Sequence, residues 1–261
     1  MEKKKITALI LDMDGVLWRD NEPIGDLPSI FSAIKKHSLK YIFLTNNSSK
    51  SPESYQRKLA RFGVHVDLDS IITSSQAVSI LVKNKYPEGG PVFIIGEEGL
   101  QSALKSQGFY PQEKNALAVI TGLDRSINYE KLSIATLLIR NGVGFFGTNP
   151  DRTYPSPKGL VPGAGAILEF LKVASGVSPI IAGKPKPFLF RLALKKMGVK
   201  PEETLSVGDR IETDLVGGRV SGCQTAMVKS GVATLDDLKQ SREKADFVFP
   251  DLSTLVTELF K

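Results

Sequence analysis

The chain has 261 residues, 41% apolar and 24% charged, ordinary for a water-soluble globular protein and long enough for one large domain or two modest ones. Its formal charge of +6 is spread over scattered lysines, with short clusters at Lys3 to Lys5, Lys35-Lys36 and Lys195-Lys196, which reads as a solvated surface and not as a nucleic-acid-binding arm. The lone Cys223 excludes an intrachain disulfide, no apolar run approaches a membrane span, and the basic start MEKKKITALILD meets Asp12 and Asp14 too soon for a secretory signal, so a cytoplasmic protein is expected.

In chain order, β-rich runs occur at ITALILD (from Ile6), YIFLTNN (Tyr41), SIITSS (Ser70), PVFIIG (Pro91), ALAVITG (Ala116), GFFGTNP (Gly144), SPIIAGK (Ser178), TLSVGD (Thr204), QTAMVKSG (Gln224) and DFVFPD (Asp246). Most are apolar on successive residues, the pattern of strands covered on both faces. Helical spacing lies between them. Pro187 suits a first helical turn, Leu189, Leu192 and Ala193 then share a face, and Gly198 ends that helix. Asp251 is placed to cap a last helix carrying Leu252, Leu255, Val256 and Leu259. Alternating strands and helices predict an α/β protein with a doubly wound, mostly parallel sheet, in which ligands sit beyond the carboxyl ends of the strands.

That is where the chemistry-bearing residues fall. ALILDMDG leaves Asp12 and Asp14 at the end of a buried strand; a surface turn would also accept Asp and Gly, but needs no apolar run before it. YIFLTNN offers Thr45, Asn46 and Asn47, hydrogen-bonding groups suited to phosphate oxygens or to capping a helix before Pro52. SPIIAGK ends in Lys184, a fixed cation or a solvated loop charge. TLSVGDRIETDL carries Asp209 and, five residues on, Asp214, which an ordinary helix start would also accommodate. YIFLTNN and GFFGTNP both end in Thr-Asn, an echo more simply read as chance than as duplication.

The order DxD, Thr, Lys, GDxxxTD resembles the haloacid dehalogenase superfamily, and LTNNSSK, TNPD, PGAGA, GKPKP and GDRIETD are similar to its class IIA, NagD-like and 4-nitrophenylphosphatase branch, over nearly the whole chain. The resemblance implies a Rossmann-like core and a Mg²⁺-dependent phosphatase of small phosphate monoesters, with nitrophenyl phosphate as a surrogate. Asp12 is then the nucleophile that forms an aspartyl-phosphate, and Asp14 the general acid and base. Lys184 pairs with Asp12 and the phosphoryl group, and Thr45, Asn46 and Asn47 bind phosphoryl oxygens. The side chains of Asp12 and Asp209, with the Asp14 carbonyl, hold Mg²⁺, while Asp214 orients Asp209 or a metal-bound water. An acid at Asp14 also argues for rapid hydrolysis over a lasting phosphoaspartate.

Roughly 140 residues separate Thr45 from Lys184, more than one crossover needs, and they contain their own strands and helices. An inserted α/β cap is therefore expected at 78–179, with the core at 1–77 and 180–261. Within it, Thr148-Asn149-Pro150-Asp151-Arg152-Thr153-Tyr154 is either a surface turn or the loop that reads the leaving group through Arg152 or Tyr154. The expected partner is a small phosphorylated metabolite, with neither nucleic acid nor membrane involved, and the resemblance leaves a homodimer open. The alternatives are a phosphotransferase or phosphomutase of the same superfamily, against which the late position of the insertion argues, and a non-catalytic phosphoester-binding module, against which the intact Asp12, Asp14, Lys184 and Asp209 argue. His37 and His65 are expected at the surface, Cys223 as a buried small residue and Trp18 in packing.

Overall fold

The computed structural model describes residues 5–156 and 158–260; Lys3 and Lys4 of the first basic cluster lie outside them. In chain order the strands are β1 (Ala8–Leu11), β2 (Trp18–Arg19), β3 (Glu22–Pro23), β4 (Lys40–Thr45), β5 (Ile71–Thr73), β6 (Gly90–Ile95), β7 (Phe109–Pro111) and β8 (Ala118–Thr121). They continue with β9 (Gly144–Gly147), β10 (Thr153–Ser156), β11 (Gly159–Pro162), β12 (Ile180–Ile181), β13 (Thr204–Gly208), β14 (Gln224–Val228) and β15 (Phe247–Phe249).

The chain forms two compact units. The first comprises Met1–Thr45, Tyr55–Ile72 and Lys184–Lys261; the second comprises Asn46–Ser54 and Thr73–Gly183. The chain thus crosses between them at 45/46, 54/55, 72/73 and 183/184, whereas the sequence reading has crossings at 77/78 and 179/180. The short segment after Thr45 joins the second unit through polar bonds that periodicity does not reveal. Ser74 and Asn149 donate to the Asn46 carbonyl at 2.6 Å each, Ser75 donates to the Ser48 carbonyl at 2.9 Å, and the Ser48 hydroxyl accepts the Leu123 N–H at 3.0 Å. The two Thr-Asn strand ends that echo each other in the sequence are therefore in contact through Asn46 and Asn149.

The first unit is built on a six-stranded sheet in the order β15-β14-β13-β1-β4-β5. Counting only its own strands along the chain, that order is 6-5-4-1-2-3, the doubly wound arrangement. Its inner pairs are parallel, with Leu9 opposite Leu205 on one side and Tyr41 on the other. All four residues of β1 are buried. Leu9 and Leu11 enter a core with Phe43, Leu205 and Val207 that is closed by Ile30, Phe31 and Ile34 from helix Leu27–Lys36 and by Leu252, Leu255 and Val256 from helix Leu252–Leu259. Asp251 caps that last helix, its carboxylate accepting the Thr254 N–H at 2.8 Å. Helix Pro187–Met197 starts at its proline and stops at Gly198 (φ 62°) as expected, but it buries Leu189, Phe190, Ala193 and Leu194; Leu192 is only half-buried, one position off the predicted face.

The second unit has a five-stranded sheet, β12-β9-β8-β6-β7, parallel throughout. In its own chain numbering that is 5-4-3-1-2, the other common doubly wound order. Ile95, Val119 and Phe145 pack there against Ile139 and Leu168. The antiparallel hairpin β10-β11 carries Tyr154 opposite Val161, so the predicted loop becomes a strand from Thr153 onward. His37 and His65 are exposed and Cys223 is buried. No helix among the described residues is long and apolar enough to cross a membrane.

Candidate active site

The order of the first sheet reverses between β1 and β13, and doubly wound sheets open a crevice at that point beyond the carboxyl ends of the strands. Asp12 follows β1 and Asp209 follows β13, with the Asp12 N–H donating to the Val207 carbonyl at 2.9 Å. Thr45, 2% exposed, ends the neighbouring β4. Three strand ends thus deliver two acids and a hydroxyl to one rim.

Lys184, 3% exposed, is the cation of the cluster. Its Nζ donates to Asp12 Oδ1 at 2.5 Å, to Asp214 Oδ1 at 2.6 Å and to the Leu44 carbonyl at 3.4 Å. Burial alone would lower its pKa, but the two carboxylates outweigh burial and hold the ammonium above its ordinary range. Burial pushes Asp12 well above the usual carboxylate range; Lys184 opposes this, while Asp214 and Asp209 add to it.

Asp214 reaches Lys184 because the chain widens into a π-turn at Ile211–Leu215. Its second oxygen accepts the Arg210 N–H at 3.1 Å, so both oxygens are engaged, and it is 2% exposed. This acid holds Lys184 and does not face solvent as a helix-start acid would. A Cβ at Gly208 would overlap the Asp214 side chain, so glycine at the end of β13 is what admits that acid.

Asp209 is pinned by a loop the sequence reading missed. Its Oδ2 accepts the Val232 N–H at 2.7 Å, and its carbonyl accepts the Ala233 N–H at 3.1 Å. A Cβ at Gly231 would overlap its carboxylate. In the same loop Ser230 donates to the Gly15 carbonyl at 2.7 Å and accepts Arg19 Nε on its own carbonyl at 2.5 Å. The only sequence signal was a Ser-Gly pair ending an apolar strand, which is ordinary turn chemistry. Burial and then Asp214 raise the Asp209 carboxyl to about 6, against the Val232 N–H, Arg210 and Lys184.

Asp14 lies in the turn after β1, its Oδ1 accepting the Trp18 indole N–H at 2.7 Å. Asp12, Asp14, Thr45, Lys184, Asp209 and Asp214 therefore all belong to the first unit. Asn46, Asn47, Arg152 and Tyr154 belong to the second. There Asn46 donates to Asp151 at 3.0 Å, and Asn47 closes a local turn by accepting both the N–H and the hydroxyl of Ser49. Arg152 is exposed and Tyr154 half-buried.

Sequence comparison agrees with this geometry. The pattern of the haloacid dehalogenase-like hydrolases matches residues 9–110, and that of HAD-hydrolase-like proteins matches 181–255. An acid sugar phosphatase of Staphylococcus aureus is 34% identical over 259 residues, spanning 99% of this chain and 100% of the relative. The chain belongs to the haloacid dehalogenase superfamily. Two solved structures place it in the NagD-like branch, class IIA. The 4-nitrophenylphosphatase of Thermotoga maritima superposes with a TM-score of 0.93 at 33% identity over 97% of each chain. NagD of Escherichia coli K-12 superposes at 0.88 with 32% identity over 96% of this chain and 98% of its own. The protein is a phosphatase.

The donor set of this NagD-like phosphatase fits a hard divalent cation. One oxygen from each of Asp12, Asp209 and Asp214 lies within 4.8 Å of the others. The buried carboxylates of Asp209 and Asp214 and the half-buried one of Asp12 outnumber the ammonium of Lys184, an excess of negative charge that a low-dielectric site tolerates only by protonation or by binding a cation. All-oxygen ligands suit Mg²⁺.

Proposed function

We propose that the protein is a Mg²⁺-dependent phosphatase of small phosphorylated metabolites that works through a phosphoaspartate on Asp12. The observation that carries this reading is the Asp12–Lys184–Asp214 ion-pair chain beside Asp209 at the switch point of the first sheet. A divalent cation held by Asp12 and Asp209, with the Asp14 carbonyl as a third ligand, would neutralise charge on the phosphoryl oxygens. The residues do the rest. Lys184, fixed by Asp214, presents its ammonium to Asp12 and the phosphoryl group, lowering the repulsion between an anionic nucleophile and an anionic ester. Asp12 attacks phosphorus as Asp14 gives a proton to the leaving oxygen; Asp14 then takes a proton from the water that attacks the phosphoaspartate. Thr45 holds a phosphoryl oxygen, and Asn46 and Asn47 are assigned the same task.

Substrate choice is assigned to the second unit, through Arg152 and Tyr154. Relatives named acid sugar phosphatase and 4-nitrophenylphosphatase support phosphate monoesters of small alcohols as the substrate class, sugar phosphates first among them. A cytoplasmic location follows from the cysteine usage and the metabolite substrate.

The test is hydrolysis of 4-nitrophenyl phosphate and a panel of sugar and aliphatic phosphates, with Mg²⁺, with EDTA, and in Asp12→Asn. Turnover should need Mg²⁺ and fall about 1,000-fold or more in Asp12→Asn. Full activity in EDTA, or in a well-folded Asp12→Asn, would refute the reading.

A further inference from the structure

We propose that Trp18 is a positioning residue for proton transfer, holding Asp14 by one carboxylate oxygen so that the other faces the reacting atoms. The proposal rests on the reading of Asp14 as the acid and base of the reaction. The turn between them is tight. The Gly15 N–H donates to the Trp18 carbonyl at 2.8 Å, the Leu17 N–H to the Met13 carbonyl at 2.8 Å, and Asp14 and Trp18 are bridge partners. Within it the indole N–H meets Asp14 Oδ1 at 2.7 Å.

The indole itself is immobilised. Trp18 is fully buried, stacked on Tyr55 at 6.5 Å with planes 10° apart, and packed against Phe62 at 6.0 Å. Lys58 Nζ lies 4.1 Å over its ring while donating to the Asp20 carbonyl at 2.5 Å. Burial with packing would explain a tryptophan here. It does not explain why the one polar atom of the ring is spent on Asp14.

The chemistry of the donor supplies the reason. An indole N–H only donates, so Oδ1 is the oxygen engaged in accepting it and Oδ2 is the one left to give and take a proton. As the bond from phosphorus to the leaving oxygen breaks and the bond to Asp12 forms, the Oδ2 proton passes to the leaving oxygen. In the second step the water oxygen bonds to phosphorus, one water proton returns to Oδ2, and the Asp12–phosphorus bond breaks. Without the indole N–H, Asp14 gains rotamers and a second protonation site that serve neither step.

Trp18 is the chain's one tryptophan, so a tryptophan auxotroph fed β-(benzothiophen-3-yl)alanine replaces this N–H with sulfur and leaves every other residue unchanged. Trp18→Phe is the genetic counterpart. The measurements are kcat and KM for the aliphatic phosphate turned over fastest in the panel above, the single-turnover burst with 4-nitrophenyl phosphate, and the melting temperature, with Asp14→Asn in parallel. The expected result is a kcat lowered about tenfold or more on the aliphatic ester with KM and melting temperature held. The burst should be little changed, because nitrophenolate leaves without a proton. In the Asp14→Asn background the sulfur analogue should add no further loss. An unchanged kcat on the aliphatic ester would overturn the proposal, as would an equal loss on both esters accompanied by a fall in melting temperature. Full aliphatic turnover by Asp14→Asn alone would overturn the acid–base reading beneath it, and that result is read without touching Trp18.

Discussion

Lys184 and Asp209 define the electrostatics of the rim from opposite sides. Lys184 is satisfied by Asp12 and Asp214, whereas Asp209 is buried beside Asp214 with the Val232 N–H as its nearest compensation. Its carboxyl, raised to about 6, is protonated more readily than an ordinary carboxylate. A group raised in the folded state stabilises the fold below its ordinary carboxylate range, and that contribution is lost as pH climbs through about 6. A cation ligated by Asp209 replaces its proton, so binding should strengthen over the same interval. The rise in melting temperature on adding Mg²⁺ should therefore be larger at pH 7.5 than at pH 5, read by scanning calorimetry with and without the ion. A shift independent of pH would remove Asp209 from the ligand set.

At the scale of elements, the candidate site was legible wherever a strand ends in one of its residues. The runs of consecutive apolar residues in β1 and β13 mark strands buried on both faces, and Asp12 and Asp209 follow directly from where those runs stop. What the linear pattern could not carry was local backbone geometry. The π-turn at Ile211–Leu215 swings Asp214 inward onto Lys184, and a helical reading of the same residues makes it a solvent-facing acid. The Ser230–Ala233 loop acts on Asp209 through backbone N–H groups that every non-proline residue owns, so no side chain advertises it. Hairpin β10-β11 was hidden by its prolines, and the allegiance of Asn46–Ser54 to the second unit by side-chain bonds between serines and asparagines. The glycines leave a sharper trace. Gly208→Ala keeps the strand conformation but sets a methyl into the Asp214 side chain; it should cost about 1–3 kcal/mol in denaturant unfolding and lower kcat by displacing Lys184. A variant as stable and as active as the parent would show that Asp214 is not held where the π-turn puts it.

At the scale of the whole chain, one doubly wound sheet is inserted in sequence between β5 and β13 of another, and each has its own core. The first alone carries Asp12, Asp14, Lys184 and the three-acid cluster. The family resemblance read from DMDG, LTNNSSK, GKPKP and GDRIETD is confirmed over nearly the whole length by the relatives that match it. The central claim is that phosphorus passes through Asp12. It is tested most directly by mixing Asp14→Asn with 4-nitrophenyl phosphate and Mg²⁺, quenching in acid, reducing acyl phosphates with borohydride and sequencing the peptides by mass spectrometry. With Asp14 in the proposed role, Asp14→Asn should slow the second step and leave the first open to a good leaving group, so homoserine should be found at position 12. Nitrophenol released over many turnovers with Asp12 unmodified, or homoserine at Asp209 or Asp214 instead, would contradict the account.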